Sequence, residues 1–135
     1  MKFFPLFFLF VLFTSCSSGD DMEILNNEME NGENMSIFKK GDFVSDAHTT
    51  TGNASVNDQK TVLTFTNFMT DDGPKLLVYL STDKNSTDFV NLGDLKGLSG
   101  NYEYNIPSNT DLDKYHVVSI WCVDFLVSFG HADLK

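Results

Sequence analysis

The residue in this chain best suited to chemistry is Cys122, which stands in an apolar stretch running from His116 to His131. That stretch also contains the only tryptophan, Trp121, and two of the three histidines. A cysteine acts as a nucleophile or soft metal ligand only as its thiolate, which a nearby cation, histidine or helix N-terminus favours. In apolar surroundings a free cysteine behaves instead as a small hydrophobe. Cys122 is flanked by Ile120, Trp121 and Phe125, which favours the second behaviour. No C-x-x-C pair is present, so a dithiol cycle within one chain is excluded. A single-cysteine cycle is left with sulfenic acid, a mixed disulfide or a dimer.

The element that must position Cys122 is a pair of strands, because β-branched and aromatic residues fit a pleated, half-buried surface. A turn at Val123-Asp124 would set Cys122 opposite Phe125, Ile120 opposite Val127, Val118 opposite Phe129 and His116 opposite His131. These eight would share one face, with Val117, Ser119, Trp121, Leu126, Ser128 and Gly130 on the other. Val-Asp is a poor two-residue turn, and a slip of one residue would exchange the faces. His116 and His131 then resemble a ligand pair, but Cys122 is six residues away, ~20 Å along a strand, too far for shared ligation. Both histidines read as surface residues. His48 lies in a Thr-rich loop before Gly52, where a turn role competes with service as a base for the thiol.

Other constellations carry less. Asp71, Asp72, Asn109, Asp111 and Asp113 could offer oxygens to calcium, but residues 108–113 lack the length and terminal Glu of an EF-hand. Gly93, Gly97 and Gly100 form no phosphate loop and read as turn residues with positive φ. Tyr79, Tyr102, Tyr104, Tyr115 and Trp121 could line a sugar-binding surface, although a small β domain needs most of them inside. Serines are plentiful, but nothing in the sequence pairs one with a histidine and an acid, so no hydrolytic set or other enzyme constellation is indicated.

Residues 1–15 have one early positive charge and a Phe/Leu core ending in small residues, the pattern of a secretory signal. The apolar part is shorter than the ~20 residues needed to span a bilayer. Its junction with Cys16 resembles the lipobox of bacterial lipoproteins, with Phe13 in place of the usual Leu. The resemblance implies that Cys16 carries lipid and that the protein meets the membrane through it. Ser17-Ser-Gly-Asp-Asp21 resembles the acidic export signal of Bacteroidota surface lipoproteins, so the expected address is the outer membrane, facing the periplasm or the cell surface. Residues 16–35 form an acidic tether, with six acids and no lysine between 17 and 35, too polar to bury a core. A lipid on Cys16 leaves Cys122 as an odd free thiol in an exported protein.

Residues 36–135 are long enough for one domain with its own core. Apolar runs are short and separated by turn residues: strands are expected over 41–45, 53–56, 60–68, 75–80, 89–92 and 102–107, besides the pair flanking Cys122. The segments 71–74, 81–88, 93–100 and 108–114 read as turns or loops. No stretch keeps a 3.6-residue apolar period, so the fold expected is all-β, a single antiparallel sandwich or barrel. The net charge is −10 and there is no arginine, which excludes a nucleic-acid footprint.

Several pieces along this domain resemble the DM-thirteen family. They are Gly41-Asp-Phe43, His48 with Thr51-Gly52-Asn-Ala54, Leu63, Asn67-Phe68, Gly73-Pro74 and Leu77-Val-Tyr-Leu-Ser81. Further on come Asn91-Leu-Gly-Asp-Leu-Lys-Gly97, Gly100-Asn101, Tyr104-Asn-Ile-Pro107, Asp111-Leu112, Tyr115 and Val118-Ser-Ile-Trp-Cys122, with Phe125, Phe129 and Ala132. The resemblance implies an extracytoplasmic all-β domain with an electron-transfer or redox role centred on Cys122. By its chemistry that cysteine could serve as a redox thiol or as a soft ligand to haem or copper. Its partner would be another redox protein of the envelope. The competing expectation is a non-catalytic adhesion or binding module for a surface ligand, with Cys122 structural.

Overall fold

The computed structural model describes residues 36–135; the signal, Cys16 and the tether lie outside them. Eight strands run in chain order: β1 Ile37–Ser45, β2 Thr50–Asn57, β3 Val62–Thr70, β4 Leu76–Ser81, β5 Phe89–Asp94, β6 Ser99–Asn105, β7 Val117–Cys122 and β8 Val127–Asp133. Each expected strand is present, and the described residues contain no helix. The glycine-containing stretch 93–100, expected to be all loop, gives its ends to β5 and β6. The spatial order is β5-β4-β7-β8-β1-β2-β3-β6, with every neighbouring pair antiparallel. The all-β expectation holds: the sheet curls into a nearly closed barrel whose free edges are β5 and β6.

Curvature enters at β1. Its first part pairs with β2 and its last three residues, Phe43, Val44 and Ser45, pair with β8. The change of partner brings Gly41 against the backbone of Asp133, where a Cβ would strike the carbonyl oxygen. Lys40 and Lys135 exchange backbone hydrogen bonds at 3.1 and 3.0 Å beside it. Gly41→Ala is therefore expected to lower stability by about 1–3 kcal/mol, because a backbone cannot yield to an added methyl. The check is the urea midpoint at unchanged slope; an unaltered midpoint would mean that the crossing is looser than described.

Side-chain alternation fills the interior. Leu76, Val78 and Leu80 of β4 and Val118, Ile120 and Cys122 of β7 join Phe65, Phe68, Tyr104 and Phe129 in one core cluster. The apolar run of β4 is buried on both faces, since Leu77 and Tyr79 are covered on the outside as well.

The β7–β8 hairpin departs from the expected register. Its turn uses four residues, 123–126, and Leu126 adopts φ 53°. Cys122 pairs with Val127, Ile120 with Gly130, and a bulge between Ile120 and Trp121 leaves Phe129 out of the pairing. His131 faces Ser119, not His116, so the two histidines are not cross-strand neighbours. Phe125, expected beside Cys122 on the core face, sits exposed at the turn with Leu126. The physical cause is the longer turn combined with a bulge that restores the inward face: Phe129 and Ala132 are buried despite the shift. Gly93 and Gly100 have positive φ as expected; Gly97 does not, and instead packs under the Tyr102 ring.

Candidate functional site

All neighbours being antiparallel, odd strands end and even strands begin at one end of the barrel. Cys122, the last residue of β7, lies at that end with the connections 46–49, 71–75, 95–98 and 123–126. Its side chain faces the core and has no exposed surface. Its strand neighbours are Leu76 and Val127. Among the described residues no hydrogen bond reaches the sulfur; His48, a candidate base, bonds elsewhere. The His48 Nδ1 lies 3.1 Å from Asp71 Oδ2, and its ring stacks on Phe129 with centroids 3.9 Å apart. A thiol so placed has no side-chain base beside it to form the thiolate and no surface for another sulfur to approach.

The donor set around Cys122 does not fit copper. Among the described residues, no three His, Cys, Asp or Glu side chains are grouped to hold a metal ion. Copper held by one thiolate lacks the imidazoles that complete such sites. Asp111 accepts from the backbone N–H groups of Asp113 and Lys114, capping a turn, and Asp113 pairs with Lys39 at 2.8 Å. These carboxylates are committed to the fold.

The residue beside Cys122 points the other way. Trp121 is partly exposed on the outer face and stacks on Tyr79, with ring centroids 6.4 Å apart and planes at 23°. Tyr79 stacks in turn on Phe89 at 4.0 Å and 10°. The three rings form a diagonal row across β7, β4 and β5, reaching the surface at both ends. Burial pushes the Tyr79 phenol above its ordinary pKa, so it stays protonated at neutral pH. Tyr104 is a core residue, as expected, and donates no surface for a sugar.

One cluster had no signal in the sequence. Asp46 Oδ2 accepts from Ser128 Oγ at 2.8 Å and from His131 Nδ1 at 2.8 Å. Ser119 Oγ lies 3.4 Å from Ser128 Oγ, and Lys84 Nζ is 4.0 Å from Asp46 Oδ1. Asp46 is more than 80 residues from Ser128 and His131 in the chain, so no local motif announces the contact. His131, expected at the surface, is mostly covered here. The set contains Ser, His and Asp but is not a nucleophilic relay: the serine bonds the carboxylate, not the imidazole that would have to take its proton. It is a partly buried polar knot that ties the connection after β1, the loop after β4 and β8 together.

No curated protein and no solved structure shows significant similarity to the chain. A family model does match, over residues 42–134, nearly all of the barrel and including the Trp-Cys strand and both connections beside it. The chain belongs to the Electron transfer DM13 family.

Proposed function

We propose that this protein is an electron-transfer domain of the bacterial cell envelope, held at the membrane by a lipid on Cys16, in which Cys122 is the redox residue and Trp121 its outlet. The observation that supports this reading is the juxtaposition at the end of β7. A covered sulfur adjoins a partly exposed indole that belongs to a stacked row. Thiol–disulfide exchange requires a second sulfur to reach Cys122, and its burial opposes that. One-electron traffic through Trp121 requires no such access, and cysteine, tryptophan and tyrosine are the side chains most readily oxidised by one electron. The partner would be a one-electron redox protein of the envelope.

The test uses the full chain carrying Cys16→Ala and a one-electron oxidant, hexachloroiridate(IV). The oxidant takes one electron from Trp121, becoming iridium(III), and the indole N–H proton goes to water. The indolyl radical is then refilled from Cys122: one electron and the thiol proton pass to the indole, leaving a thiyl radical. Trp121 is the only tryptophan, so its transient absorption is unambiguous. The indolyl signal is expected to decay roughly tenfold faster than in Cys122→Ala, a barrier difference of about 1.4 kcal/mol. Equal decay rates would remove Cys122 from the path. In that event the second reading stands, a binding module with a structural cysteine, which the lack of a polar partner at the sulfur among the described residues already favours.

A further inference from the structure

We infer that the cleft at the cysteine end of the barrel binds a small quinol. Its place follows from geometry; the choice of a redox ligand rests on the electron-transfer reading above. Two separate connections form the cleft, residues 72–76 and residues 94–98, around a space of about 390 Å³, within the range of small-molecule sites. Its lining includes Leu76, the cross-strand partner of Cys122. Two connections some 20 residues apart in the chain thus meet at Leu76, one strand away from the sulfur.

The cleft is preformed. Leu95 N–H donates to Leu76 O at 2.9 Å, joining its two walls. Lys96 N–H donates to the buried Tyr104 hydroxyl at 2.9 Å, Gly97 lies under the Tyr102 ring, and the Tyr102 hydroxyl donates to Ser99 O at 2.6 Å. The wall 94–98 is therefore anchored to β6 by two tyrosines, and little ordering would be needed on binding.

The lining defines the ligand. Leu76, Leu95 and Leu98 offer an apolar bed, and Leu98 is left exposed at 36%. Asp72 and Asp94 stand at the rim, and no cation pairs with either among the described residues; Lys75 likewise has no carboxylate. Asp94 and the second oxygen of Asp72, whose Oδ1 accepts from the Gly73 N–H at 2.8 Å, are open to hydroxyl donors. An apolar ring bearing hydroxyls at its edge satisfies both features. A sugar fits less well, because it carries hydroxyls around its whole rim and its sites supply aromatic rings, of which this cleft has none.

The experiment is an anaerobic titration of the isotope-labelled full chain (Cys16→Ala) with menadiol, followed by backbone amide shifts. Saturable shifts confined to residues 72–76, 94–98 and their strand neighbours are expected. Asp94→Asn is expected to weaken binding roughly tenfold, the loss of one charge-assisted hydrogen bond. Leu98→Asp tests the apolar bed; both side chains are at the surface, so folding is retained and is verified by the same spectra. Menadione, which lacks the hydroxyls, should bind more weakly. Absent or scattered shifts, equal affinity for menadione, unaltered affinity in both variants, or the same shifts with glucose would each overturn the inference. The iridium experiment is independent: menadiol binding with equal radical decay would sink the Cys122 path alone.

Discussion

In the full chain carrying Cys16→Ala, native Cys122 is expected to react with an aromatic disulfide reagent at least about 10³-fold more slowly than the same thiol in the unfolded chain. The reason is burial without relief. The side chain has no exposed surface, and its strand is flanked on both sides, by β4 through Leu76 and by β8 through Val127. β7 lies inside the sheet, two strands from the nearer free edge, so exposing the sulfur means separating strands and not merely fraying an edge. Reaction then tracks the population of an opened state, and domains of this size keep that population very small. Following reagent release with time, with and without denaturant, supplies both rates. A native rate within about tenfold of the unfolded one would show that the hairpin opens readily. Mixed-disulfide chemistry would then return as the leading mechanism, and the one-electron path would lose its rationale.

That expectation also shows what the sequence disclosed. The neighbours Ile120 and Trp121 argued for a buried cysteine, and alternation along β7 carried that argument to the correct face: Val118, Ile120 and Cys122 all point inward. The partner strand was not legible, because register depends on the turn. A four-residue turn with Leu126 at positive φ has no residue signature, unlike Asn-Gly. The bulge at Phe129 added a second shift that no alternation pattern anticipates. Hence a two-residue turn predicts Phe125 beside Cys122, where it is instead exposed, and His131 opposite His116, where it instead bonds Asp46.

The site was less legible than the strand that bears it. Cys122 and Trp121 stand out by type, but the sequence cannot say that adjacent residues of a strand serve opposite faces of a closed wall with different access. The stacked row of Phe89, Tyr79 and Trp121 comes from β5, β4 and β7, joined only by the sheet order. The same applies to the cleft, whose walls are 72–76 and 94–98. Composition favours an inside place for most of Tyr79, Tyr102, Tyr104, Tyr115 and Trp121; Tyr104 takes one in the core, Tyr79 is buried on the outer face, and the other three are partly exposed. What composition could not supply is relative placement, which antiparallel pairing over long separations decides.

Phe65→Ala is expected to cost about 3–5 kcal/mol, the largest loss from any single truncation considered for this domain. Phe65 is fully buried, and its ring meets those of Phe43 at 5.0 Å, Phe68 at 4.9 Å and Tyr104 at 5.0 Å. These come from β1, β3 and β6, so one ring joins a free-edge strand to the strand that changes partner. Phe43 meets Phe65 edge-on at 84°, an arrangement that adds to simple area burial. Removing the ring leaves a cavity that three aromatic neighbours, themselves locked together, cannot easily collapse to fill. The measurement is a urea midpoint at unchanged slope, with Phe125→Ala as the comparison. Phe125 is exposed at the β7–β8 turn, and its truncation should alter stability by no more than about 0.5 kcal/mol. A small cost at Phe65 would mean that β3 and β6 do not close over β1 as described. Tyr104 would then lose its fixed place in the core, and with it the hydrogen bond that holds Lys96 and the wall of the quinol cleft.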